Sequence, residues 1–187
     1  MDHSLDSRQS MPDALRVLLD EYPRAGWPRH RNFDGLVRFW LERHLMFRRL
    51  TEAMATDTEA LLERRLDPRM HSARLARFGG IFVSELHGHH HIEDAHYFPV
   101  LAQAEPRIAA GFELLDADHK ALDGILSRFA DAANSAIRAE EGQRHRAAAG
   151  EFLTELRTTQ RLLDRHLTDE EDLVVPVILR HGPAGLG

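Results

Sequence analysis

The sequence predicts an all-α protein, an up-down four-helix bundle with a short N-terminal extension, and three observations lead to that class. Apolar residues recur at three-and-four spacing over four long stretches, and turn signals fall at helix-length intervals. Alternating runs that would mark strands are short, and β-branched residues are few. The chain of 187 residues with 43% hydrophobic content is one domain by length and can bury a real core. The boundaries read as an extension over residues 1–31, a bundle over 32–181 and a tail over 182–187.

In chain order, Pro12 to Glu21 has the pattern of a short helix with Leu15, Leu18 and Leu19 on one side, broken by Pro23, Gly26 and Pro28. The first long helix starts from Asn32 as N-cap. Its stripe is Phe33, Leu36, Val37, Trp40, Leu41, His44 and Phe47, and it runs to about Arg65. Asp67-Pro68 supplies an N-cap and an N1 proline for the second helix, whose stripe is Leu75, Phe78, Phe82, Leu86, His89, Ile92 and Glu93. Gly79-Gly80 in its middle costs roughly 1 kcal/mol per glycine in propensity and invites close packing or a kink. After Pro99 and Pro106 the third helix carries Phe112, Leu115, His119, Leu122, Leu126 and Phe129. Polar residues from Asn134 to Arg146 make the next connection. The fourth helix then presents Phe152, Leu156, Leu162, Leu163, His166, Glu170 and Leu173 before Pro176.

Composition excludes several kinds of chemistry. The chain has no cysteine, so disulfides, thiolate zinc sites, iron–sulfur clusters and a cysteine nucleophile are all ruled out, and any metal must sit on nitrogen and oxygen. A formal net charge of -6 gives no overall basic footprint for nucleic acid. Met1 to Ser10 is polar without an apolar core, and no run of eighteen apolar residues occurs, so a soluble, cytoplasmic protein without a membrane partner is expected.

The most informative stretch is Leu86 to Pro99, which sets five histidines and two carboxylates into fourteen residues. On a helix, His89 and Glu93 lie one turn apart on one face and form half of a metal site. A surface histidine tract that picks up adventitious nickel or zinc is the plainer explanation of this copy alone. The phrase returns, however, as His166-Leu167-Thr168-Asp169-Glu170-Glu171 with no tract, so it is the spacing that recurs. His44 precedes His89 by 45 residues and His119 precedes His166 by 47, so each half reads as one helical hairpin. Alone, His44 on its apolar stripe would be an ordinary hydrogen-bonded core histidine; the repeat is what makes it a candidate donor. Six ligands are therefore expected to converge: His44, His89, Glu93, His119, His166 and Glu170. At 100° per residue His96 falls near the same direction and is the one further candidate, whereas His87, His90 and His91 point elsewhere.

Four buried imidazoles and two buried carboxylates without metal would leave unpaired polar groups and a repelling acid pair. Two divalent ions, both glutamates and a bridging hydroxide bring the charge close to neutral and leave coordination positions for a small ligand. Mixed imidazole and carboxylate donors favour iron, then manganese, over zinc.

The order His44, His89-x-x-x-Glu93-Asp94 followed by Tyr97-Phe98-Pro99, then His119 and His166-x-x-x-Glu170-Glu171, resembles the hemerythrin-like histidine–histidine–glutamate cation-binding domains over roughly residues 32 to 181. That resemblance implies a four-helix bundle with a non-haem di-iron centre, oxo- or hydroxo-bridged and spanned by Glu93 and Glu170. It further implies that the centre binds, senses or scavenges oxygen or a related small ligand such as peroxide or nitric oxide; substrate-oxidising catalysis finds no support, since no dedicated acid, base or nucleophile stands outside the metal ligands. Oxygen-carrying hemerythrins have a fifth histidine ligand; that place is unassigned here, with His96 or another member of the tract to fill it. Iron-cluster repair members add a cysteine-bearing N-terminal segment, which this sequence lacks. A ferritin-like di-iron oxidase is the main rival and needs Glu-x-x-His in each half. Glu93-x-x-His96 meets that need once, while Leu173 and Val174 stand where the second half would require histidine. A bundle whose metal serves structure or regulation is the third reading.

Overall fold

In the computed structural model, residues 3–33, 35–140, 142–183 and 186 are described. The first two residues of the extension and residues 184, 185 and 187 of the tail lie outside that set. Among the described residues the chain is all-helical. Two short helices, α1 (Val17–Glu21) and α4 (Phe98–Ala104), accompany four long ones: α2 (Leu36–Leu62), α3 (Pro68–Ile92), α5 (Ala109–Arg138) and α6 (Gln143–His181). No described helix is long and apolar enough to cross a membrane.

The helix ends follow local chemistry. At the start of α3 the Asp67 carboxylate accepts the backbone N–H groups of Arg69 at 3.0 Å and Met70 at 3.1 Å, with Pro68 in the first position where no donor is needed. The start of α2 departs from expectation. Gly35 adopts φ +46 and the helix begins at Leu36, while the Asn32 side chain donates to Leu179 O at 2.7 Å instead of capping. That bond ties the chain ahead of α2 to the end of α6. The polar stretch from Asn134 to Arg146 is mostly helical, because α5 continues to Arg138 and α6 begins at Gln143. The helices are separated only between Arg138 and Gln143, with Gly142 at φ +101 just ahead of α6. Pro176 does not end α6, which runs on to His181. Val174, Val175, Val177, Ile178 and Leu179 are all buried around it, and their packing outweighs the hydrogen bond that proline cannot make.

The fold divides into two compact units. One comprises Met1–His44, His89–Ala121 and Asp164–Gly187; the other comprises Leu45–Gly88 and Leu122–Leu163. The second unit has a core of aromatic rings: Phe82 packs against Phe47 at 6.4 Å and Phe129 at 5.3 Å, and Phe129 against Phe152 at 5.5 Å. Helix α3 passes through Gly79-Gly80 without a break, and a Cβ at Gly79 would meet Phe129 and Met54 only at ordinary contact distance. This unit also buries a polar chain, in which His145 Nε2 lies 3.3 Å from His71 Nδ1 and His71 Nε2 lies 3.1 Å from the Thr58 hydroxyl.

In the first unit the N-terminal residues do not stand apart as an extension. Met11, Leu18 and Trp27 are buried in one apolar cluster with Val37, Trp40, Phe98, Leu115, Leu173 and Val174, and Leu15 and Leu19 pack against it. The expected short helix is a 3-10 turn at Asp13–Leu15 followed by α1. Beyond Pro23 the chain forms a second 3-10 turn, Arg24–Arg29, which seats Trp27.

Candidate metal centre

All six sequence-predicted donors fall in the first unit and are buried. His44 is on α2, His89 near the end of α3, His119 on α5, and His166 and Glu170 on α6. Glu93 opens a turn of π-helix, Glu93–Tyr97, joining α3 to α4. In this wider turn the backbone closes on i→i+5 hydrogen bonds, so each residue advances by less than the 100° of an α-helix.

The donor atoms form two adjoining groups. His44, His89, Glu93 and Glu170 bring one ligand atom each to within 4.8 Å of one another, and His90, His119 and His166 do the same. His44 Nε2 and His89 Nε2 are 3.1 Å apart. Each glutamate faces both groups. Glu93 places Oε1 3.0 Å from His89 Nε2 and Oε2 3.6 Å from His119 Nε2; Glu170 places Oε1 3.4 Å from His44 Nε2 and Oε2 3.5 Å from His166 Nε2. The Trp40 indole N–H donates to Glu170 Oε1 and fixes that carboxylate from the α2 side.

The electrostatics match the donor set to a cation. Both oxygens of Glu93, both ring nitrogens of His90, and the Nε2 atoms of His119 and His166 are buried without a hydrogen-bond partner, as is Glu170 Oε2. Buried polar groups are otherwise almost always paired, and each orphan costs of order 1–3 kcal/mol. Burial, then the charge of Glu170, pushes the Glu93 carboxyl well above the usual carboxylate range. Burial would raise Glu170 too, but the facing imidazole of His44 outweighs it and holds Glu170 well below that range. Burial likewise opposes charge on His44, yet the carboxylates of Glu170 and Glu171 win and raise it. Burial drives His89 down to about 3 and lowers His119, with the charge of neighbouring His166 adding to the effect on His119. Burial and then His119 hold His90 well below its ordinary value. Burial thus disfavours charge on His89, His90, His119 and Glu93 alike, leaving imidazole lone pairs and a crowded acid pair that a divalent cation would satisfy.

Three further carboxylates hold the outer nitrogens. His44 Nδ1 lies 3.0 Å from Glu171, His119 Nδ1 2.8 Å from Asp94 and His166 Nδ1 3.3 Å from Asp118. An ionised carboxylate only accepts, so in each ring Nδ1 donates and Nε2 is left to face the centre.

Two expectations from the histidine tract need correction. His96 is exposed, because the π turn alters the rotation that an α-helix would have given it; Ile92, at the end of α3, is also exposed, at 43%. His90, expected to point elsewhere, is 5% exposed and stacks on His119 at 4.0 Å. Leu86, His89, His90 and Glu93 stand at i, i+3, i+4 and i+7, which is the spacing of a buried helical face; that signal was available in the sequence. His87 and His91 are exposed, as expected.

Comparison with curated proteins and with solved structures returned no match. The model of the hemerythrin HHE cation-binding domain matches residues 35–179, which takes in both histidine–glutamate pairs, His44 and His119. With most of its length in that match and a buried histidine and glutamate cluster at the matched motifs, the chain belongs to the hemerythrin HHE cation-binding family.

Proposed function

We propose that this protein is a non-haem di-iron protein, folded as an up-down four-helix bundle, that binds, senses or scavenges oxygen or a related small ligand such as peroxide or nitric oxide. The observation that carries this reading is the pair of adjoining donor groups with Glu93 and Glu170 each offering one oxygen to either side. Seven donors exceed what one ion can use. His44 and His89 would hold one ion and His90, His119 and His166 the other, with Glu93 and Glu170 available to both. Nitrogen and oxygen donors with no sulfur suit iron, then manganese, ahead of zinc.

When bound, an iron pair would supply one-electron redox chemistry and open positions for a small ligand. The chain's own residues prepare that site. Asp94, Asp118 and Glu171 keep protons at Nδ1 of His119, His166 and His44, so that Nε2 of each ring would be free to hold metal. Trp40 restricts rotation of Glu170. Phe98 stacks on His119 at 5.4 Å and also lines a surface cleft of about 270 Å³ with Phe112, Ala102 and the carboxylates Asp94, Glu113 and Asp116. A ferritin-like oxidase reading would need His96 turned inward beside Glu93, and its exposure speaks against that.

Anaerobic iron loading followed by metal analysis tests the stoichiometry, and about two ions per chain are expected. Mixing the reduced protein with oxygen while following visible absorption tests the ligand chemistry. A reversible oxygenated spectrum would support carriage, and rapid conversion to a stable oxidised spectrum would support sensing or scavenging. Absence of any spectral change would exclude redox iron.

A further inference from the structure

We propose that the N-terminal segment is a positioning strap for the metal centre, with Arg8 acting through Asp118 on His166; the proposal rests on the metal reading above. The Arg8 side chain is only 2% exposed, which is unusual for an arginine unless it is paired. Its guanidinium grips Asp118 with both terminal nitrogens, Nη1 donating to Oδ1 at 2.8 Å and Nη2 to Oδ2. Its Nε donates to Asp169 Oδ2 at 2.8 Å. Asp118 Oδ2 in turn accepts from His166 Nδ1. Arg8, Asp118 and His166 therefore form a continuous relay from the N-terminal segment to a donor of the centre.

The cluster is balanced in charge. Arg8 and Arg165 face Asp118 and Asp169, and Asp169 also accepts the Met11 backbone N–H at 3.0 Å. Removing Arg8 would leave Asp118 buried beside His166 without its cation, and a carboxylate in that position gives up its charge or its geometry. Either outcome frees the His166 ring to rotate or to exchange its tautomer.

A second arm repeats the arrangement on the other donor group. Arg24 Nη1 donates to Glu171 Oε2 at 2.8 Å and its Nε to Asp172 Oδ1 at 2.6 Å, while Glu171 Oε1 holds His44 Nδ1. Arg24 is 43% exposed at its side chain, so Arg8 is the stronger arm. Buried Met11 and Leu18 anchor the chain between the arms, and Trp27 anchors it just beyond the second. Both arginines lie outside residues 35–179, so the strap is additional to the stretch that defines the family.

Titration of the metal-free full-length chain with cobalt(II), recording affinity and ligand-field spectrum, tests the strap. Arg8→Met is expected to weaken cobalt binding roughly 10–100-fold and to shift the visible bands, the range found when outer partners of ligand histidines are removed. Asp118→Asn should act in the same direction, and it keeps the test open if Arg8→Met fails to fold. Arg8→Lys should recover part of the loss, since one ammonium replaces the charge but not the two-pronged grip. Arg29→Ala, an exposed change in the same segment, should match wild type. The pair Arg8→Met with Asp118→Leu should regain metal-free stability without regaining affinity, which a purely structural role would not produce. Wild-type affinity and spectrum in both Arg8→Met and Asp118→Asn would overturn the strap alone. A wild-type chain that binds no cobalt would overturn the metal reading, and the strap with it.

Discussion

Asp94 and His119 meet across the π turn: the carboxylate that follows the buried Glu93 accepts from His119 Nδ1 at 2.8 Å on the neighbouring helix α5. Glu93 and Asp94 are consecutive, yet one faces His119 Nε2 and the other Nδ1 of the same ring. The ring is therefore held at Nδ1 by Asp94 while its unpartnered Nε2 faces Glu93.

Asp94→Ala should weaken metal binding about 10–100-fold by releasing the Nδ1 side of His119. Asp94→Asn should lose less, because the amide oxygen still accepts that proton. Titration of both variants would show this order. Equal affinities in Asp94→Ala and wild type would remove Asp94 from the site.

Metal removal should lower stability, since the metal-free centre buries orphaned atoms on Glu93, His90, His119 and His166. Free metal at a hundred times its dissociation constant stabilises by about 2.7 kcal/mol. For a chain of this size that corresponds to a rise in melting temperature of roughly 5–10 °C. Glu93→Gln should raise the melting temperature of the metal-free form, because it ends the contest between two buried carboxyls, and should shrink the gain on adding metal. Calorimetry with and without metal checks both effects. A variant whose metal-free form melts no higher than wild type would mean that the acid pair is not strained.

In the second unit, burial and then the charge of His145 lower His71 to about 4. An unfolded chain titrates this ring near its ordinary value of about 6.5. Between those values the unfolded state takes up a proton that the folded state refuses, so the stability His71 confers is complete above about pH 6.5 and is lost as pH falls toward about 4. His71→Gln cannot titrate. The advantage of wild type over His71→Gln in urea midpoint should therefore narrow from pH 7 to pH 4.5, and an advantage constant across that range would contradict the assignment.

Periodicity alone made the helices legible, because Phe112, Leu115, His119, Leu122, Leu126 and Phe129 are all buried where three-and-four spacing put them. The recurrence of histidine and glutamate four apart, with a histidine 45 or 47 residues before each pair, likewise marked six residues that the fold brings together. Two of the misses, His96 and the start of α2, arise where the backbone leaves the α-helical average. The π turn moved His96 outward, and the start of α2 shifted to Leu36 when Gly35 took a positive φ. No periodicity announces the N-terminal contacts, since Arg8 reaches Asp118 and Asp169 across more than a hundred residues. The outer acids left a fainter trace: Asp94 and Glu171 each directly follow a buried glutamate.

His90 offers the sharpest test of how the histidine tract is divided. It adjoins His89 in sequence, yet the two rings serve different groups: His89 lies against His44, while His90 stacks on His119 and approaches His166 at 5.3 Å between ring centres. Neither ring nitrogen of His90 has a hydrogen-bond partner, although the side chain is buried, so an apolar replacement removes a polar group that only a cation would satisfy. His90→Leu should therefore keep or raise the stability of the metal-free chain while reducing bound iron from about two ions toward about one, since His119 and His166 lose their third partner. His96→Ala, on the exposed side of the π turn, should leave both quantities unchanged. Metal analysis and thermal melts on the two variants separate the outcomes. Full iron content in His90→Leu together with a loss in His96→Ala would return the fifth histidine to His96 and require the π turn to rewind in the metal-bound protein.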